Sequence, residues 1–129
     1  MDIKRNVVGW FELPVKNMER AMKFYETVLD VKLSRHQMGP LDMAWFPFVD
    51  NGAGSAGSLV KHDEYYAPSK DGVLVYFTAH SGDLANELGR VAAAGGKVLQ
   101  SKTMIAEDYG FMALILDTEG NRVALHSRE

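Results

Sequence analysis

The order of secondary structure repeats once along the chain, and this repeat limits the possible folds more than any other feature. Residues 7–14 alternate like a strand, apolar residues then follow a helical period from Met18 to Leu29, and three strand-like runs cover 31–38, 41–49 and 55–62. The same order returns as a strand at 72–80, a helix at 83–94 and strands at 97–104, 110–117 and 121–127. A period of about 66 residues that occurs only twice is typical of a pseudo-symmetric domain. The sequence therefore predicts an α+β fold of two βαβββ modules.

Each module has one helix to cover one face of its sheet, so the other faces of the two sheets are expected to line a cup with the helices outside. Residues two apart along a strand share a face. In the first strand this places Phe11 and Leu13 against the helix, and Trp10 and Glu12 in the cup. By the same alternation, the residues of the second module predicted to face the cup are Tyr76, Thr78, Ala124 and His126.

Composition excludes several classes of function. The chain has 129 residues, 47% of them apolar, which suits one domain with a hydrophobic core. It contains no cysteine, so disulfides and thiolate metal sites are absent, and its net charge of −3 with scattered Lys and Arg argues against nucleic acid or membranes as partners. We expect a cytoplasmic protein with a single domain over 1–129, divided into module one at 1–62, a linker at 63–71 and module two at 72–129.

Three stretches carry a resemblance to a known family: ELPVKNMERAMKFYETVLDVKL, AAAGGKVL and LDTEGNRVALHS. In them the chain resembles the vicinal oxygen chelate superfamily, which includes glyoxalase I, extradiol dioxygenases and bleomycin-resistance proteins. The last stretch is similar to the D-P-x-G-N turn of that family, with Thr118 in place of the proline. The resemblance implies the paired βαβββ fold and a homodimer.

The resemblance also implies a divalent metal held by His, Gln or Glu, one from each of four cup strands. In this chain those positions are Trp10, Ser58, Tyr76 and Ala124. Indole and methyl groups offer no lone pair to a metal, and neutral hydroxyls are poor ligands for it. We therefore expect no metal and no other cofactor.

The remaining candidates divide into acid–base groups and walls of a binding site. Glu12 and His126, on the same presumed face, are the candidate catalytic pair. The candidate ligand-binding residues, mostly aromatic, are Trp10, Trp45, Tyr76, Thr78, Met104 and Phe111.

Three hypotheses follow for the function. The first is a small-molecule-binding protein of the bleomycin-resistance type, whose cup lacks the usual metal ligands. The second is a metal-independent lyase or isomerase that uses Glu12 and His126 as acid and base. The third is a dimeric scaffold whose cup is filled by its own aromatic side chains.

Overall fold

The computed structural model describes residues 2–129, and within them eight strands and two helices follow the predicted order. Module one consists of β1 (Trp10–Pro14), α1 (Met18–Leu29), β2 (Ser34–Met38), β3 (Leu41–Trp45) and β4 (Ala56–Lys61). Module two consists of β5 (Tyr76–Thr78), α2 (Leu84–Leu88), β6 (Lys97–Ala106), β7 (Gly110–Leu116) and β8 (Arg122–Ser127). The predicted α+β fold with two βαβββ modules is thus confirmed.

The first sheet has the strand order β1-β4-β3-β2, with β1 parallel to β4 and the other pairs antiparallel. Helix α1 begins as predicted after Asn17, whose side chain accepts a hydrogen bond from the Arg20 amide. It ends at Asp30, which adopts a left-handed conformation with φ 55°. The apolar side of α1 then covers the face of the sheet that carries Leu13 and Leu59.

The second sheet repeats this arrangement with the order β5-β8-β7-β6. Helix α2 is shorter than the predicted 83–94, because it ends at Gly89 and residues 89–95 continue as turns. Glycine inside a helix is destabilising relative to alanine, which explains why the apolar spacing alone overestimated this helix. Leu84 and Val91 are nevertheless both buried, so the segment still covers its sheet.

The two modules pack through their helix sides. The Phe77 ring of module two lies 5.3 Å from the rings of Tyr25 and Phe46 and 5.8 Å from that of Phe11. Helices α1 and α2 lie side by side, whereas within residues 2–129 the backbones of the two sheets do not approach each other, and β1 meets β5 only through the helix-side rings of Phe11 and Phe77. The faces opposite the helices, here called the cup faces, therefore do not cover one another within the chain.

A polar turn at 117–121 connects module two to α1 and to the end of β1. The buried Tyr25 hydroxyl donates a 2.6 Å hydrogen bond to Asp117, and the Asn121 side chain donates to the Pro14 carbonyl at 2.7 Å. Burial is the main reason why the pKa of Tyr25 is raised well above its ordinary value. The family-like LDTEGN stretch thus serves as the joint between the modules.

Among residues 2–129, no helix is both long enough and apolar enough to cross a lipid bilayer.

Candidate functional site

The cup face of the first sheet carries the side chains that the alternation of β1 predicts. Glu12 pairs with Ser58, and Ser58 pairs in turn with Trp45, so these three lie in one row across the sheet. Trp10 lies on the same face because it is two residues from Glu12. Phe11 and Leu13 face α1 and belong to, or pack against, the buried core.

Three aromatic side chains form a continuous surface on this face, which we call the aromatic platform: Trp10, Trp45 and His36. The Trp10 and Trp45 rings meet edge to face, with centroids 5.6 Å apart. His36 stacks on Trp45 with centroids 4.0 Å apart, and its Nε2 lies 3.1 Å from the Ser34 hydroxyl. Trp10 remains 39% exposed, so the platform is open to solvent on the Trp10 side.

Glu12 is exposed beside this platform, and its carboxylate is hydrogen-bonded by a residue of the linker and not by a neighbouring strand. The Tyr66 hydroxyl donates a 2.6 Å hydrogen bond to Oε1 of Glu12, and this bond is the main reason why the pKa of Tyr66 is raised. The linker is itself ordered by His62, whose Nδ1 accepts hydrogen bonds from the amides of Glu64 and Tyr65. Tyr66 is therefore a wall of the site that sequence reasoning missed, since the polar stretch around it is typical of a simple crossover.

Two buried polar atoms under the platform lack partners. The Ser58 hydroxyl and the Trp45 indole nitrogen are the buried side-chain polar atoms without a hydrogen bond in the part of the chain that the structure describes. Ser58 is fully buried, although it lies on the cup face. Unpaired buried polar groups are costly and rare in native proteins, so these two mark a place where a water molecule, an ion or a ligand group would be stabilised.

The cup face of the second sheet is also open. Tyr76 pairs with Ala124 and Thr78 pairs with His126, which places all four on one face as predicted. Tyr76 is 51% exposed and Thr78 is exposed, whereas Ala124 is fully buried. The face therefore offers a phenol, a hydroxyl and an imidazole.

Met104 and Phe111 lie on the other side of the second sheet. They pair with each other across β6 and β7, and the Phe111 ring packs against the core and beneath Lys102, whose Nζ is 4.5 Å from the ring centroid. Strand β6 contains three register shifts, each of which disturbs the alternation of faces. The structure thus places these two predicted ligand contacts away from the cup faces.

Glu12 and His126 do not form an acid–base pair within the chain. They lie on different sheets, and each already has its own partner. His126 donates from Nε2 to the Tyr109 carbonyl at 2.6 Å, while Glu12 accepts from Tyr66. Within residues 2–129 no hydrogen bond joins the two side chains.

The residues at the family's metal positions do not fit a metal. Trp10 and Ser58 lie on the first cup face and Tyr76 and Ala124 on the second, and their indole, hydroxyl, phenol and methyl groups are poor ligands for a divalent metal. Residues 2–129 contain no group of three or more His, Cys, Asp or Glu side chains positioned to hold a metal ion.

A cleft of about 470 Å³ opens on the helix side of the molecule, between β5 and the loop that joins β3 to β4. No Lys, Arg, Asp or Glu is among the described residues that line it. Several apolar side chains around it are exposed: Val8 57%, Phe48 56%, Val49 81% and Val73 88%. The cleft touches the candidate site only at Tyr76 and Thr78.

Comparison with known proteins gives one family match and several similar folds. The sequence model of the Glyoxalase/Bleomycin resistance protein/Dioxygenase superfamily matches residues 7–125. A comparison with curated proteins found no match.

Among solved structures, glyoxalase I from Zea mays is similar, with a TM-score of 0.68, 22% identity and coverage of 92% of this chain but only 45% of the maize chain. The chain therefore spans less than half of that relative. A glyoxalase/bleomycin resistance protein from Albidiferax ferrireducens has a TM-score of 0.68 and 17% identity, covering 96% of this chain and all of that one (100%). TnmS3, an antibiotic binding protein from a Streptomyces species, has a TM-score of 0.64 and 20% identity, covering 99% of this chain and 100% of its own. At identities of 17–22%, these structural similarities show the fold alone.

Proposed function

The chain belongs to the glyoxalase/bleomycin resistance protein/dioxygenase superfamily, and from this premise we propose that it binds a small organic molecule in an aromatic cup without a metal. The observation that carries the proposal is the aromatic platform. The Trp10 and Trp45 rings, in edge-to-face contact, form an apolar surface beside Glu12 that the rest of the described chain leaves partly uncovered on the Trp10 side. An exposed indole supported by a second aromatic ring favours stacking of a planar ligand on its free face.

We further propose that two copies of the chain complete each cup. Within one chain the two cup faces do not meet, so a ligand on the platform would remain open to water on its far side. A second copy would bring the Tyr76 and Thr78 face over the platform. The ligand would then lose water on both sides, which is where most of the binding free energy of an aromatic molecule comes from.

The edge strands indicate which surfaces meet in such a dimer. The outer strands β2 and β6 carry Arg35, Lys97 and Lys102, and β6 is interrupted by register shifts, both of which protect a sheet edge from pairing. Strands β1 and β5 have no Lys or Arg and border the apolar cleft. We infer that β1 of one protomer lies beside β5 of the other and that the exposed apolar rim of the cleft is buried there.

A substitution at the rim tests the dimer. Light scattering should give a mass of twice 14.3 kDa for the wild type, whereas Val73→Asp should shift the protein toward the monomer because a carboxylate replaces an exposed apolar contact. Ile105→Asp, on the protected edge strand β6, is the matched control and should leave the dimer intact. A specific dimer of this size should be populated at roughly 100 µM. A wild type that stays monomeric at that concentration would contradict the assembly.

A thermal-shift screen of planar aromatic compounds, followed by titration of tryptophan fluorescence, tests the binding function. Binding should quench the fluorescence of the platform, and Trp10→Ala should weaken affinity by about tenfold or more, in line with the loss of one stacked ring. Tyr109→Ala is the control, because that side chain is 66% exposed in the turn between β6 and β7. A dimer that binds none of the compounds would instead support the scaffold hypothesis.

A further inference from the structure

The distribution of charge on the first cup face points to the chemical class of the ligand. The side chains that share this face through the pairing registers are aromatic, apolar or hydroxyl-bearing, with two titratable exceptions, Glu12 and His36. Lys61 and Arg35 belong to the neighbouring registers and face the other side of the sheet. The face therefore has one carboxylate and no Lys or Arg.

We infer, on the basis of the proposed binding function, that the ligand is an organic cation: an aromatic or compact molecule with a basic or quaternary nitrogen. The faces of Trp and Tyr rings attract cations through the negative potential of their π-electrons, and quaternary ammonium groups are recognised by such aromatic surroundings. The platform supplies two indoles in contact with each other, with centroids 5.6 Å apart. The opposing cup face would add the phenol of Tyr76.

Glu12 is available as the counter-charge. Its Oε1 accepts the Tyr66 hydrogen bond, and Oε2 has no hydrogen-bond partner within residues 2–129. Tyr66 also fixes the position of the carboxylate, so little side-chain entropy is lost when a cation binds. Glu12 makes no salt bridge in the part of the chain that the structure describes. Asp42 of the same sheet, by contrast, pairs with Arg35.

Within residues 2–129, no Lys or Arg side chain takes the place of the proposed ligand cation on the aromatic platform. The cation–π contact found in residues 2–129 joins Lys102 to Phe111 on the helix side of the second sheet. Arg122 lies on the second cup face, but its guanidinium donates to the Lys70 carbonyl at 3.2 Å. Lys97, on the same face, belongs to β6, the strand farthest from β5. The platform is thus left for a cation that comes from solution.

Three probes test the inference: the cation phenyltrimethylammonium, its neutral isostere tert-butylbenzene and the anion benzoate. Titration of tryptophan fluorescence should show the cation binding about tenfold tighter than its neutral isostere, as expected for a desolvated cation–π contact with a nearby carboxylate. Added salt should reduce this advantage. Equal affinity for the cation and the neutral probe, or tighter binding of benzoate, would overturn the inference while leaving the binding function intact.

Variants distinguish the contribution of the Glu12 charge to affinity from that of the aromatic platform. Glu12→Gln should lower affinity for the cation without changing that for the neutral probe, and Trp10→Leu should weaken both. Glu107→Gln, an exposed carboxylate in the turn after β6, is the matched control and should change neither. A Glu12→Gln variant that retains the full preference for the cation would refute the role of this carboxylate. Failure of all three probes and of the wider aromatic screen would refute the binding function itself, and the inference with it.

Discussion

Ser58 stands where the family resemblance implies a metal ligand, yet its hydroxyl is buried without a hydrogen-bond partner. We predict that Ser58→Ala stabilises the protein by about 1 kcal/mol, because it removes a desolvated polar atom and leaves a methyl group of similar size. Urea denaturation of the wild type and the variant measures this difference. Ser34→Ala, at an exposed position on the same face, should change stability little, because the contact of its hydroxyl with His36 is open to solvent. A Ser58→Ala variant less stable than the wild type would show that the hydroxyl has a partner, such as a buried water molecule.

Strand periodicity predicts the direction of single side chains only where the alternation of polar and apolar residues is clear. In β1 it correctly places Trp10 and Glu12 on one face and Phe11 on the other. In β7 the run FMALIL is apolar on both faces, so the sequence does not reveal that Phe111 faces the core. The hydrogen-bond partner of a side chain is harder to predict than its direction. The Tyr66 bond to Glu12 joins residues 54 positions apart and depends on the path of the linker.

At the level of elements, a glycine in β4 sets how closely the strands and the modules pack. The Phe11 ring lies directly over Gly57, its cross-strand neighbour, and a Cβ atom at Gly57 would overlap that ring. Phe11 in turn contacts Phe46 and Phe77, so this overlap would be transmitted to the interface between the modules. Gly57 therefore allows the Phe11 ring to pack against the sheet and, at the same time, at the interface between the modules.

We predict that Gly57→Ala lowers the free energy of unfolding by about 1–3 kcal/mol, since Phe11 must leave its position in a close-packed core. Thermal and urea unfolding measure the loss. Gly9→Ala is the matched control, because a Cβ atom there has no neighbour within 4 Å among the described residues. The double variant Phe11→Leu with Gly57→Ala should recover part of the stability, and no recovery would contradict the proposed overlap.

The helices and strands are largely predictable from the sequence, because most of them combine a clear hydrophobic period with a capping or turn residue at one end. Asn17 caps α1 as predicted, and β7 and β8 begin and end within a residue or two of the predicted ranges. The run at 72–80 forms only a three-residue strand, Tyr76–Thr78. Residues 73–75 before it border the cleft, and of these Val75 bonds to β8 through its carbonyl, an outcome that no local pattern distinguishes from a longer strand.

For the whole molecule, the repeat predicts two modules but not the way they join. The joint depends on Glu119, whose fully buried side chain accepts hydrogen bonds from the amides of Lys16 and Asn17, both at 2.8 Å. Arg20, half exposed, donates to the same carboxylate at 2.7 Å from Nε. Three residues around the start of α1 and one acidic side chain from a turn about 100 residues away thus form one polar contact, which no local pattern in the sequence reveals.

This contact should make the stability of the protein depend on pH. Burial alone would raise the pKa of Glu119, but the hydrogen bonds from Arg20, Asn17 and Lys16 outweigh burial and lower this pKa from 4.5 to about 2. A carboxylate whose pKa is lower in the folded state stabilises the protein above its unfolded pKa, and this contribution is lost as the pH falls. The free energy of unfolding should therefore decrease between about pH 5 and pH 2.

We predict that Glu119→Gln removes most of this pH dependence, because an amide side chain has no charge to lose on acidification. At pH 7 the variant should be less stable than the wild type by about 2 kcal/mol, a value below that of a fully buried ion pair since solvent screens the half-exposed Arg20. At pH 2 the two proteins should converge. Urea denaturation at a series of pH values measures both curves, with Glu64→Gln as the control because this carboxylate is exposed in the linker. Parallel curves that keep a constant gap from pH 7 to pH 2 would show that the loss of stability comes from packing and not from the charge of Glu119.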